Sequence, residues 1–252
     1  MTGLITGAGR GLGLELVKYG LELGYRIVAA SKGVPETGSE LEKLKEEYPD
    51  RLTLLKMDVS SEDEVEKAAA ILSERNIKLD FIINNAGVLF ESKYDMRNPI
   101  EELDIEMLRK TIDVNAVGPA IVLKHFFKYI GGSESPCIVN VTSEGAMLSP
   151  KGHHYPAYCI SKSALNMYTQ KIRNYLSGQE TTKDIRVFFV HPGRMQTVMG
   201  KENAQIHPGE AAVGIYNIIN GVVRIELDIP FIDYKGRNML EKYNIGNRGD
   251  IK

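Results

Sequence analysis

Leu4-Ile-Thr-Gly-Ala-Gly-Arg-Gly-Leu-Gly13 runs straight into Leu14-Glu-Leu-Val-Lys18, and this junction decides the fold. The leading apolar pair reads as the end of a buried strand, and the residues after the glycines carry apolar positions at helical spacing. A glycine-rich turn between a first strand and a first helix lets backbone N–H groups approach a pyrophosphate at the positive end of the helix. The spacing is Gly7-x-x-x-Gly11-x-Gly13, not the more usual G-x-G-x-x-G. A turn of this kind can also be a simple tight connection. Its place after the first strand and before an amphipathic helix favours nucleotide binding.

Outward from that junction the same alternation repeats. Short apolar runs occur at Tyr25–Ala30, Leu52–Leu55, Leu79–Ile83, Cys137–Val141 and Ile185–Val190, with a last one at Ile229–Ile232. They are rich in branched residues and lack strict alternation, as strands covered on both faces of a parallel sheet do. Residues 11–23, 39–48, 61–75, 104–130, 157–177 and 209–223 carry apolar spacings of three and four, as helices do. Strands alternating with helices predict βαβ units and an α/β fold with a doubly wound parallel sheet. No repeat, low-complexity tract or Pro/Gly/Ser-rich linker divides residues 1–252, so one domain is expected.

Composition narrows the function. A net charge of −2 gives no reason to expect a nucleic-acid or anionic-membrane partner. No apolar run approaches the ~18 residues of a membrane span, and the early glycine turn leaves no room for a signal-peptide core. The two cysteines, Cys137 and Cys159, form no disulfide framework or zinc spacing, which fits a reduced, cytoplasmic protein. His153-His154 lacks a third ligand at useful spacing, so no metal is expected.

The second strand ends Ala29-Ala-Ser-Lys32. A carboxylate here would accept from both adenosine ribose hydroxyls of NAD and repel a 2′-phosphate. This chain has none. Ser31 and Lys32, with Arg10 from the glycine turn, can instead hold a 2′-phosphate through charge-assisted bonds, favouring NADP over NAD.

Tyr158 and Lys162, in Tyr155-Pro-Ala-Tyr-Cys-Ile-Ser-Lys162, lie one above the other if the segment is helical. A positive charge beside a phenol favours the phenolate. Moving its pKa from about 10 to neutrality asks for about 4 kcal/mol. The spacing alone is common on exposed helices, so the neighbours decide its meaning.

Those neighbours resemble the short-chain dehydrogenase/reductase family over nearly the whole chain. Thr6-Gly-Ala-Gly-Arg-Gly-Leu-Gly13 looks like its TGxxxGxG cofactor turn, placing Thr6, Gly7, Arg10, Gly11, Leu12 and Gly13 at the cofactor. Asp58-Val59 is similar to the pair that meets adenine. Asn84-Asn85-Ala86-Gly87 resembles the segment beside the adenosine ribose. Asn115, in Asp113-Val-Asn-Ala-Val-Gly-Pro119, falls where the family keeps a helix-bending asparagine that holds a relay water. Ser143, Tyr158 and Lys162 resemble the catalytic trio, with Thr142 in place of the usual first serine. Pro192-Gly193 with Thr197 resembles the segment that holds the nicotinamide amide. Asn115–Pro119, Tyr155–Tyr158, Ala164–Met167, His191–Gly193 and Phe231–Gly236 further resemble the carbonyl-reductase branch with C-signal and sniffer-type members.

The resemblance implies a Rossmann-like three-layer α/β/α sandwich. It also implies a homodimer or homotetramer joined through the segments at 104–130 and 157–177. For function it implies an NADP-dependent oxidoreductase acting on a small-molecule carbonyl or alcohol. Tyr158 would be the acid, Ser143 a second donor to the carbonyl oxygen, and Asn115 a relay to Lys162. Lys162 would lower the Tyr158 pKa and grip the nicotinamide ribose. The other readings are an NAD-linked alcohol or sugar dehydrogenase and a nucleotide-binding regulatory protein that keeps only the fold. The stretch Val198–Ile206 is brief for a lid, implying a small or largely exposed pocket. Leu89, Phe90, Ser149, His153, His154, Tyr155 and Met199 are the candidates to line it.

Overall fold

The computed structural model describes residues 1–94, 96–149, 152–196 and 204–242. Seven strands form one parallel sheet: β1 Thr2–Thr6, β2 Arg26–Ser31, β3 Leu52–Lys56, β4 Phe81–Asn84, β5 Cys137–Val141, β6 Arg186–His191 and β7 Phe231–Asp233. Their order is β3-β2-β1-β4-β5-β6-β7. The chain therefore reverses its winding between β1 and β4. The loops at the carboxyl ends of these two strands part there and leave a crevice.

Alternate side chains of each strand feed opposite layers, which is why the runs read as apolar throughout. Ile5, Ala29, Ile83 and Val139 join α1 Gly11–Glu22, α2 Glu40–Glu47 and α7 Pro208–Ile219 in one cluster. Leu4, Val28, Ile82 and Ile138 face α3 Glu62–Glu74, α5 Gly118–Phe126 and α6 Pro156–Ser177 in the other. The result is the three-layer α/β/α sandwich. Local signals start the helices where the sequence places them. Ser39 and Ser61 accept from the N–H groups of Glu42 and Glu64, and Asp104 caps α4 Ile105–Ile112 through Glu106 and Met107. Among the described residues no helix is long and apolar enough to cross a membrane.

One helix differs from expectation. The segment 104–130 is not continuous but breaks into α4, a π turn over Asp113–Val117, α5, and a 3₁₀ turn over Phe127–Tyr129. In the π turn the Gly118 N–H reaches back five residues to the Asp113 carbonyl. Pro119 has no N–H to donate to the Asn115 carbonyl four residues back, so the α ladder cannot run through this point. A short α8, Met239–Lys242, follows β7.

Phe81 anchors the middle of the sheet. Its ring is fully buried, stands edge-on to Tyr216 at a centroid distance of 5.7 Å, and fills the space a side chain on Gly3 would need. Phe81→Ala removes this ring from a site its neighbours cannot collapse into. It should lower the unfolding free energy by about 3 to 5 kcal/mol, as read from urea denaturation.

Candidate functional site

Every described residue that the sequence singled out for catalysis or cofactor contact lies at or just beyond the carboxyl end of a strand, in the π turn, or at the start of α1 or α6. Thr197 and Met199 lie outside the described residues, as does most of the stretch Val198–Ile206.

The glycine turn is locked to the loop after β4. Thr6 Oγ1 accepts from the N–H groups of Asn85 at 3.0 Å and Ala86 at 3.1 Å. Asn85 Nδ2 returns a bond to the Thr6 carbonyl at 2.9 Å. Glycine is required on both sides of this junction. Gly7 has φ +66°, and a Cβ on it would sit 2.7 Å from the Ala86 Cα. A Cβ on Gly13 would fall 2.1 Å from the Gly7 carbonyl oxygen. Arg10, in extended backbone before α1, provides no side-chain cap. The first N–H groups of α1, from Gly11, Leu12 and Gly13, thus suit an anion.

At the next loop, Ser31 Oγ donates to the Gly33 carbonyl at 2.8 Å. Lys32 Nζ lies 2.6 Å from Asp58 Oδ2, joining the ends of β2 and β3. Burial works against the Asp58 charge, but bonds from Lys32 and Ser60 outweigh it and hold the carboxyl below its ordinary range. Lys32 is four-fifths exposed, so its ammonium is within reach of a ligand as well as of Asp58. This donor set, an open helix end plus an exposed cation two loops away, fits a dinucleotide that carries an extra phosphate. A Cβ on Gly118 would meet the side chain of Val59, so the loop after β3 also packs on the start of α5.

At the other end of the crevice, Ser143 and Tyr158 come together around Gly145: a Cβ there would stand 3.5 Å from Ser143 Oγ and 3.8 Å from Tyr158 Cδ1. Ser143 Oγ also accepts from the Gly145 N–H at 3.0 Å. Thr142, buried beside it, has a hydroxyl with no partner among the described residues. Lys162 is 4% exposed and donates to the Val141 carbonyl at 2.8 Å, its Nζ lying 5.9 Å from the centre of the Tyr158 ring. Gly87 keeps the loop after β4 close by: a Cβ there would stand 3.6 Å from Lys162 Nζ.

The electrostatics differ from the sequence expectation in one respect. Burial pushes the Tyr158 phenol up to about 12, opposed by the nearby Ser143 hydroxyl. Burial likewise pushes the Lys162 ammonium down to about 8. Lys162 donates to Val141, and its ammonium does not offset the burial of the phenol. At neutral pH the phenol is therefore protonated, as a proton donor must be.

Asn115 is fully buried in the π turn, and its side chain is committed. Oδ1 accepts from the Val88 N–H at 2.8 Å, and Nδ2 donates to the Val88 carbonyl at 2.9 Å and to Ser161 Oγ at 3.0 Å. Two further groups were not singled out from the sequence. The chain Asn84–Asn140–Thr169, with links of 2.8 Å, joins β4 and β5 to α6 in the interior. Glu91, in a 3₁₀ turn over Phe90–Lys93, reaches α6 from the loop after β4. The available signal was a carboxylate directly after the apolar run Val88-Leu-Phe90.

The pocket candidates fare differently. A cavity of about 300 Å³ is lined by Glu144, His191, Gly193, Arg194, Gln205, Ile206, Asp233, Tyr234 and Arg237, and by neither Ser143 nor Tyr158. Leu89, Phe90, Ser149, His153, His154 and Tyr155 do not line it. His153, His154 and Tyr155 instead form an exposed run of rings, with Tyr155 in left-handed backbone at φ 59°. Pro192 and Gly193 leave β6 toward this cavity, and Gly193 is itself left-handed at φ 85°.

Residues 2–207 match the family described as short chain dehydrogenase. Estradiol 17-beta-dehydrogenase 2 of Rattus norvegicus is 31% identical over 207 residues, 80% of this chain and 50% of that protein. The chain thus spans about half the length of the rat protein. Among solved structures, NADPH-bound carbonyl reductase from chicken fatty liver superposes with a TM-score of 0.80 at 22% identity, covering 94% of this chain and 97% of that one. Carbonyl reductase Sniffer of D. melanogaster also gives 0.80, at 24% identity and the same coverages. At these identities the structural likeness is one of fold. Both are carbonyl reductases, the branch the sequence resembles.

A buried ammonium has a measurable consequence. Lys162 falls from 10.5 to about 8 on folding, so between those values the unfolded chain binds more protons and stability rises with pH. Relative to Lys162→Met, the wild type should gain on the order of 2 to 3 kcal/mol across that window. Tyr158 is common to both proteins and drops out of the difference. Urea denaturation of the pair at pH 7 and pH 10 checks this; a constant difference would contradict it.

Proposed function

The chain belongs to the short-chain dehydrogenase family, and from that premise we propose that it is an NADP-dependent, carbonyl reductase-like oxidoreductase. It moves a hydride between the nicotinamide cofactor and a small-molecule carbonyl or alcohol. The observation that carries this reading is the convergence of Ser143 and Tyr158 beside Gly145 at the crevice, with Lys162 one turn further along α6.

NADPH supplies the hydride when bound. Tyr158 donates its phenolic proton to the carbonyl oxygen, and a phenol held at about 12 keeps that proton at neutral pH. Ser143 donates a second bond to the same oxygen as negative charge gathers there. Lys162, held by the Val141 carbonyl, grips the nicotinamide ribose and returns a proton to Tyr158. Asn115 feeds Lys162 through a water. Its side chain is committed to Val88 and Ser161, so the relay falls to its backbone carbonyl, to which Pro119 has no N–H to give.

The N–H groups opening α1, with Arg10, hold the pyrophosphate. Thr6, Gly7, Asn85, Ala86 and Gly87 shape the floor beneath the ribose. Asp58 and Val59 flank the adenine; Pro192, Gly193 and Thr197 hold the nicotinamide amide. Ser31, Lys32 and Arg10 take the 2′-phosphate. The name of the NADPH-bound chicken carbonyl reductase supports this cofactor, as does the absence of a carboxylate from Ala29–Lys32. We further place it as a single-domain cytoplasmic homodimer or homotetramer associating through α4, α5 and α6. The exposed Ile105, Ile160, Met167 and Tyr175 on those elements, with Val117 in the turn between α4 and α5, support that arrangement.

Turnover of NADPH with a panel of aldehydes, ketones and quinones tests the reading. Tyr158→Phe keeps the ring and removes the proton, so kcat should fall at least ~100-fold. Near-normal turnover by this variant would overturn the acid assignment. Lys32→Asp sets a carboxylate beside Asp58 and removes a charge-assisted phosphate contact. The NADPH dissociation constant should rise roughly 10- to 100-fold while that of NADH holds or improves, as measured by cofactor titration.

A further inference from the structure

Helix α6 begins without the means to satisfy its own first turn. Its N-cap residue, Tyr155, is left-handed and makes no side-chain cap, and Pro156 has no N–H. Cys159 N–H bonds the Tyr155 carbonyl at 2.9 Å. The two remaining donors, the N–H groups of Ala157 and Tyr158, both end on one carboxylate: Glu91 Oε1 at 3.0 Å and Oε2 at 2.9 Å. Glu91 is 2% exposed and lies 66 residues away in sequence.

A buried carboxylate is costly unless it is fully bonded, and the positive end of a 22-residue helix is a favourable place for one. The grip also closes a circuit. The Tyr158 N–H is held by Glu91, and the Tyr158 carbonyl accepts from Ser161 Oγ at 2.7 Å. Ser161 Oγ in turn accepts from Asn115 Nδ2, and Asn115 is doubly bonded to Val88, three residues before Glu91. Both backbone polar groups of the phenol-bearing residue are thereby pinned to the same loop.

We propose that Glu91 is a positioning residue: by holding the first turn of α6 against the loop after β4, it sets where the Tyr158 hydroxyl stands relative to Ser143 and the substrate carbonyl. This rests on the oxidoreductase reading above. Displacing a reacting group by about 1 Å costs on the order of 100-fold in rate, whereas cofactor contacts elsewhere in the crevice are untouched.

The test compares wild type, Glu91→Ala and Glu91→Gln. In Glu91→Ala, kcat should fall roughly 10- to 100-fold with the KM for NADPH within about twofold, and the isotope effect from 4-deuterated NADPH should rise as hydride transfer becomes more limiting. Glu91→Gln keeps the length and one acceptor oxygen and should recover part of the loss. Amide exchange over residues 155–162 should quicken in Glu91→Ala. A lowered melting temperature with unchanged kcat in both variants would overturn the proposal, leaving Glu91 a purely structural cap. So would a loss confined to the KM for NADPH. If the wild type turned over no carbonyl, the oxidoreductase reading would fail on its own. The exchange arm would still decide the grip on α6: protection unchanged in Glu91→Ala would overturn it.

Discussion

The reciprocal bonding between Thr6 and Asn85 is the contact on which the candidate site depends. Strand β1 delivers the glycine turn, and β4 delivers the loop that reaches toward Asn115 and Lys162 and carries Glu91. These two parallel strands are neighbours in the sheet, but the chain winds on from them toward opposite edges. Without a tie, the phosphate end and the chemical end could drift independently. The Thr6 hydroxyl takes two N–H groups from the β4 loop while Asn85 returns one to β1, so the loops behave as one body. The missing side chains of Gly7 and Gly13 follow from the same closeness.

From that tie the interior polar groups extend outward. Val88 grips Asn115, Asn115 grips Ser161, and Glu91 grips the first turn of α6. Further along, Asn140 reaches Thr169 and holds the middle of the same helix to β5. An apolar interior could slide by small repacking steps; a bonded one has a single register, since each donor left unpaired costs about 1 to 3 kcal/mol. The helix carrying Tyr158 and Lys162 is therefore pinned at both its start and its middle. The buried ammonium of Lys162 works against stability and persists where its neighbours hold it, the pattern expected of a group kept for chemistry.

Much of this was legible beforehand for a physical reason. Parallel strands covered on both faces must be apolar throughout, and Cys137–Val141 reads identically in sequence and structure. Caps are local, so Ser39, Ser61 and Asp104 announce their helices. The break at Asp113–Val117 was not visible as apolar spacing, because a π turn shifts the stripe by a single residue. Pro119, with the resemblance of Asn115 to a helix-bending asparagine, was the signal present. Nor was Glu91 legible, because its partners are backbone N–H groups 66 residues away, and such partners leave no mark on side-chain pattern.

The sequence by itself determined the winding of the sheet, the glycine turn before α1, and which residue types stand at each strand end. Those depend on local periodicity, glycine placement and spacing. Tertiary structure decided the charge states and the bonding. Lys32 pairs with Asp58, Lys162 turns to Val141, the Tyr158 phenol is pushed up to about 12, and Glu91 closes the start of α6. Burial and hydrogen bonding between distant segments set all of these, and neither exists until the chain has folded.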